Sequence, residues 1–192
     1  MRKGSLVVKK REYQDLIKIS HILNSTVKMD TILIDQDGNA LFKLINHPIP
    51  PVLDPPDNEY KHIHEILSKK PANYCLHYTN TYGLEYMAVR IGNSPSFLAI
   101  GPFISSMSII DRIKDIISRN KLPIGERKQL EQFYQSLPVL SEMEYKNIGV
   151  LMVNLCVHHY IASQQISTNT MKPLLNQDRL KVNIEVDKQI IE

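Results

Sequence analysis

Five of the chain's eleven prolines fall within residues 47–57 (Pro48, Pro50, Pro51, Pro55 and Pro56), and no regular element can run through such a stretch. The proline ring fixes φ, and its nitrogen has no hydrogen to give to a helix or a sheet ladder. These residues must therefore form a loop over the surface. Before the loop, Leu16, Ile19, Leu23 and Val27 recur at three- and four-residue spacing in residues 10–29, which predicts an amphipathic helix with one buried stripe. Residues 30–46 change period. Ile32-Leu33-Ile34 and Ala40-Leu41-Phe42-Lys43-Leu44 flank Asp35-Gln36-Asp37-Gly38-Asn39, so two strands are predicted around an Asp-Gly turn.

After the loop, Asp57 or Asn58 can cap a helix that buries Tyr60, Ile63, Ile66 and Leu67 and stops before Pro71. Residues 73–79, 84–91 and 96–103 are rich in aromatic and β-branched side chains. Asn80-Thr81-Tyr82-Gly83 and Gly92-Asn93-Ser94-Pro95 separate them, which predicts a three-stranded antiparallel meander. Helices follow at residues 108–120, 123–136 and 141–165. The last opens on Ser141-Glu142-Met143-Glu144, a capping box, and is predicted to bury Ile148, Leu151, Met152, Leu155 and Tyr160. Beyond residue 167, Leu180, Val182, Ile184 and Val186 alternate as a strand would, while Leu180, Ile184, Lys188 and Ile191 fit a thin helical stripe; both remain open.

This order has too few βαβ crossovers for a parallel sheet and too many helices for a sandwich. The expected fold is α+β: a five-stranded antiparallel sheet with an N-terminal helix and a C-terminal helical segment, the helices on one face above a concavity. That layout is similar to PAS and GAF domains. A chain of 192 residues can bury one good core without disulfides or a structural metal. With no signal peptide, Cys75 and Cys156 are expected to be reduced thiols in a cytoplasmic protein. The longest apolar run, residues 148–162, is broken by Asn154, His158 and His159 and falls short of the roughly 20 residues of a membrane span, so no membrane partner is expected. Net charge is +3, but Arg2, Lys3, Lys9, Lys10 and Arg11 against Glu12 place +4 in the first twelve residues, leaving −1 elsewhere. The body lacks the cationic surplus that phosphate contacts demand of a nucleic-acid-binding domain, and residues 1–9 read as a solvated basic leader.

Catalytic signatures are missing: there is no phosphate loop, dinucleotide turn, nucleophile elbow or His-Glu-x-x-His pair. His62 and His64 lie two apart in a predicted helix and point in different directions, as do Cys156, His158 and His159, so no metal and no cofactor is expected. Asp35 and Asp37 flank a turn, where such residues bond their own backbone. An enzyme would need a cleft holding Glu85, His77 or Cys75 with a strongly perturbed pKa. The meander is more suggestive. Tyr74, Leu76 and Tyr78 share one face, Leu84, Tyr86, Ala88 and Arg90 share a face of the next strand, and Phe97, Ala99 and Phe103 belong to the third. Tyrosines beside an arginine suit a small-molecule pocket that fixes an anionic group, so Tyr74, Tyr78, Tyr86, Arg90 and Phe103 are the candidate ligand-binding residues.

Phe97-Leu98-Ala99-Ile100-Gly101-Pro102-Phe103, followed some thirty-five residues later by Ser136-Leu137-Pro138-Val139-Leu140-Ser141 at the start of a long apolar helix, resembles the N-terminal sensory region of AraC-type transcription regulators of low-GC Gram-positive bacteria. The likeness spans roughly residues 10–165. It implies a PAS/GAF-like sensor at residues 10–166, then a linker at 167–192 toward a helix-turn-helix DNA-binding domain beyond Glu192, since no such pair occurs in this sequence. The implied partners are an unknown small molecule or peptide and a second copy of the chain, with DNA reached only through the missing domain. The resemblance carries over no ligand residue. Two other functions fit the same sequence: a ligand-free interaction or dimerisation module, and the sensor domain of a histidine kinase.

Overall fold

In a computed structural model, which describes residues 3–53, 57–71, 74–91, 96–105, 109–167 and 183–186, hairpin and meander join into one open sheet. The elements run α1 (Lys3–Val27), β1 (Thr31–Ile34), β2 (Ala40–Leu44), α2 (Asp57–Leu67), β3 (Tyr74–Thr79), β4 (Glu85–Arg90), β5 (Phe97–Phe103), α3 (Ile109–Arg119), a 3-10 turn (Ile124–Glu126), α4 (Arg127–Ser136), α5 (Glu142–Ser167) and β6 (Asn183–Val186). The strand order is β2-β1-β5-β4-β3-β6. The first five strands pair antiparallel, and β6 adds parallel to β3 with Ile184 opposite Cys75. Residues 183–186 are therefore strand, which decides between the two patterns there and places part of the expected linker in the sheet; residues 168–182 and 187–192 lie outside the described residues. The first helix begins at Lys3, inside the expected leader, earlier than its apolar spacing indicates. No helix among the described residues is long and apolar enough to cross a membrane.

Local chemistry explains the turns. Asp35 accepts the N–H groups of Asp37 (2.9 Å) and Asn39 (2.8 Å), closing the β1–β2 connection around Gly38 at φ +79°. Slight burial pushes the Asp35 carboxyl up, but these hydrogen bonds outweigh it and hold it below the ordinary value. Asp30, buried just before β1, accepts the N–H groups of Asn46 (2.7 Å) and His47 (3.0 Å) and the His47 ring (3.2 Å), anchoring the entrance of the proline-rich loop. At the head of α5 the capping box forms: the Glu144 N–H reaches the Ser141 hydroxyl (3.4 Å), and Glu144 accepts the Ser141 N–H and O–H (2.7 Å each).

Helices cover both faces of the sheet, not one. β1 and β5 are buried at every residue, so each face presents an apolar surface that water would otherwise meet. Ile32, Ile34, Tyr74, Leu76, Tyr86, Ala88, Phe97 and Ala99 pack with residues of α2, α3 and α4; the Tyr134 hydroxyl of α4 donates to the Tyr82 carbonyl at 2.6 Å. Leu33, Cys75, Met87, Val89, Leu98 and Ile100 pack on the other face, with Leu16, Ile19 and Leu23 of α1 and Tyr145, Met152, Val153 and Cys156 of α5. Met152 is buried as its spacing predicts and Ile148 and Leu155 pack partly, but Leu151 is 39% exposed. A 100° step per residue puts Leu151 beside Met152 yet turned away from the sheet. Tyr160 lies outside the residues whose side chains are described.

Candidate functional site

The structure divides the five candidate ligand residues between the faces. Tyr74 and Tyr86 are buried in the core shared with α2–α4. Tyr78 is half-buried against the same core, its ring 6.5 Å from that of Tyr86 and 5.4 Å from that of His62. Arg90 is half-buried at the end of β4, opposite Phe97. Phe103, expected beside Phe97 and Ala99, is instead on the α1–α5 face. Between the pairs Glu85–Phe103 and Met87–Ile100, β5 has one residue more than β4, and this bulge inverts the alternation. Gly101 permits it: at φ +135°, an added Cβ would stand 2.7 Å from both the Glu85 carbonyl and the Tyr86 ring. A polar depression of about 370 Å³ between the β1–β2 turn and α2 is lined by Gly38, Asn39, Ala40, Lys43 and Lys61, and by none of the five.

The same bulge assembles a polar site where the β3–β4 hairpin meets the head of α5. Alternation puts Cys75, His77, Glu85 and Met87 on the α1–α5 face, and the inversion brings Phe103 to them and Ser105 just beyond. Glu85 uses both carboxylate oxygens: Oε2 lies 2.9 Å from His77 Nε2, while Oε1 accepts the Ser105 N–H (2.6 Å) and O–H (2.8 Å). Burial pushes the Glu85 carboxyl up, but the hydrogen bonds from His77 and Ser105 outweigh it and hold the acid below its ordinary range. An ionised Glu85 requires a donor at its partner, so the geometry assigns a proton to His77 Nε2. His77 Nδ1 has no hydrogen-bond partner among the described residues. Its ring joins a three-ring cluster, 4.4 Å from Tyr145, 5.7 Å from Phe103, with Phe103 and Tyr145 6.1 Å apart. Burial raises the Tyr145 phenol, helped by the negative charge of Glu142, so it stays a neutral ring against the imidazole.

Chemically this is a charge held at both ends, unlike a nucleophile and its base. Ser105 O–H donates to Glu85 instead of to His77, so the imidazole is not placed to take the serine proton. Cys75 is fully buried, and burial, with a smaller contribution from Cys156, pushes its thiol up to about 12, leaving almost no thiolate near neutrality. His77 and Glu85 are both buried. Among the described residues no three His, Cys, Asp or Glu side chains group as metal ligands; His62 and His64 turn to different rings, Tyr78 and Phe97. The sequence signal for His77–Glu85 was a carboxylate and an imidazole on one face of a hairpin. Ser105 and Tyr145 gave no signal, because a loop and a distant helix bring them in. Comparison with protein-family models, curated proteins and solved structures finds no match to this chain.

Proposed function

We propose that this chain is the sensory and dimerisation region of an AraC-type transcription regulator, a PAS/GAF-like module that controls a separate helix-turn-helix domain. The observation that supports this most directly is the placement of α5. The helix starts on the sheet at Tyr145, passes so close that a Cβ on Gly149 would meet Met87 and Cys75, and carries Met143 and Leu151 outward. A 26-residue helix whose residues 145–156 pack on the sheet is a lever: a small change in seating moves the whole rod, and a second copy can pair along its exposed apolar residues. A small molecule or peptide acts by favouring one seating over the other.

The test fuses residues 1–192 upstream of a DNA-binding domain that represses a reporter only as a dimer. Repression by the fusion, altered by one member of a panel of sugars, amino acids and short peptides, is the expected result. A folded, expressed fusion that leaves the reporter unrepressed would rule out the reading. A second reading, an interaction module without ligand, is supported by the burial of Tyr74 and Tyr86 in continuous core. It predicts repression indifferent to every compound and no thermal shift of the purified chain.

A further inference from the structure

We propose that Glu85 is the hub of a coupling between the exit of β5 and α5, so that Ser105 and the first turns of α5 hold or release together. The proposal deepens the regulatory reading and rests on it for what the coupling transmits.

Two connections meet at this end of the sheet. Beyond β5 the chain passes Ser105 and leads to α3, whose Ile113 and Ile116 belong to the same core as Tyr74 and Tyr86. After α4 it returns through residues 137–141 to α5 on the opposite face. The two connections are bonded to each other: Ile104 N–H donates to the Pro138 carbonyl (3.0 Å), and Leu140 N–H donates to the Ile104 carbonyl (2.9 Å). Glu85 adds the second tie. One oxygen holds Ser105 by two hydrogen bonds; the other holds His77, on whose ring Tyr145 of α5 rests at 4.4 Å. From Ser105 to α5 the links are therefore Ser105–Glu85–His77–Tyr145.

The physical reason for joint behaviour is the cost of half-made states. Glu85 is 3% exposed, and a buried carboxylate that loses the donors on one side has no water to replace them. Its charge strengthens the remaining bonds while all are made and penalises a partial set. His77 cannot follow Tyr145 outward without abandoning Glu85, and Ser105 cannot leave without stranding the same carboxylate. A change at Ser105 thus reaches α5 through a group that tolerates two arrangements better than intermediates.

Amide hydrogen exchange on the full chain, needing no ligand, tests this. Ser105→Ala removes the hydroxyl that donates to Glu85 and keeps the backbone donor; Tyr145→Leu removes the ring from His77. Coupling is reciprocal, so Ser105→Ala should speed exchange at residues 145–150, and Tyr145→Leu should speed it at Ser105, each on the order of fivefold. The double variant should change less than the two effects combined. Exchange at Leu23 and Leu33, on α1 and β1, should stay as in the parent. Effects confined to each variant's own neighbours, additive effects, or equal acceleration at Leu23 and Leu33 would each overturn the proposal. Coupling with a silent reporter fusion would retain the hub and reject the regulatory reading; a responsive fusion without coupling would do the reverse.

Discussion

Glu85 carries the sharpest expectations at the scale of a residue. Its folded pKa is depressed, so it contributes stability above its unfolded value, near 4.5, and that contribution is lost as the pH falls through the folded value. Asp30 has the opposite sign: burial, opposed by the Asn46 and His47 hydrogen bonds, leaves its carboxyl raised, so its contribution is present in acid and lost as the pH rises. Comparing the parent with Glu85→Gln separates the two, because Asp30 is common to both. The substitution keeps the shape but replaces two acceptor oxygens by one, and should cost about 1–3 kcal/mol near neutral pH in urea unfolding. The difference should shrink below pH about 4.5; a gap independent of pH would mean that ionised Glu85 adds nothing. Nitrogen NMR of the His77 ring should find the proton on Nε2.

Among the elements, α5 is the one whose details can be changed singly. Ser141→Ala removes the hydroxyl that caps Glu144 N–H and should cost about 1 kcal/mol, measured by thermal unfolding. Gly149 poses a finer question. Alanine favours helix by about 1 kcal/mol, yet its Cβ would lie 2.6 Å from Met87 Cε and 3.1 Å from Cys75 Sγ. The added Cβ must displace both the Met87 methyl and the Cys75 sulfur in a buried contact, so overpacking should prevail and Gly149→Ala should destabilise by about 1 kcal/mol. Adding Met87→Ala frees the contested space, and Gly149→Ala should then stabilise that background; unchanged destabilisation there would place the conflict at Cys75.

For the whole molecule, burial of both sheet faces sets the accessibility of the thiols. Cys75 and Cys156 sit between sheet and α5, both fully buried and pushed up to about 12. Labelling by a thiol reagent should therefore need α5 to lift or the chain to unfold, and both cysteines should react at one slow rate that rises with denaturant. Rapid reaction of Cys156 alone would show that the middle of α5 opens independently. The same two-faced architecture limited what the sequence revealed of the candidate site. Tyr74, Leu76 and Tyr78 were correctly placed on one face, since alternation is local. Phe103 was not, because one extra residue in β5 inverts the pattern and leaves no mark in the composition. Leu151 looked like core because its face of α5 depends on how the helix lies on the sheet.

What the sequence determined by itself is whatever a few neighbouring residues decide. Proline geometry made residues 47–53 a loop, Asp35 and Gly38 made the hairpin turn, and Ser141 with Glu144 started α5; apolar periods located the other helices and strands. Tertiary structure alone decided the strand order, the second helical layer, the pairing of β6 with β3 and the meeting of His77, Glu85, Ser105 and Tyr145. Those depend on which surfaces cover one another, a choice made by burial over the entire chain. A buried carboxylate joins donors from β3 and the β5 exit, and the linked imidazole meets a ring of α5, only after the sheet has closed and its bulge has turned Phe103 to their side.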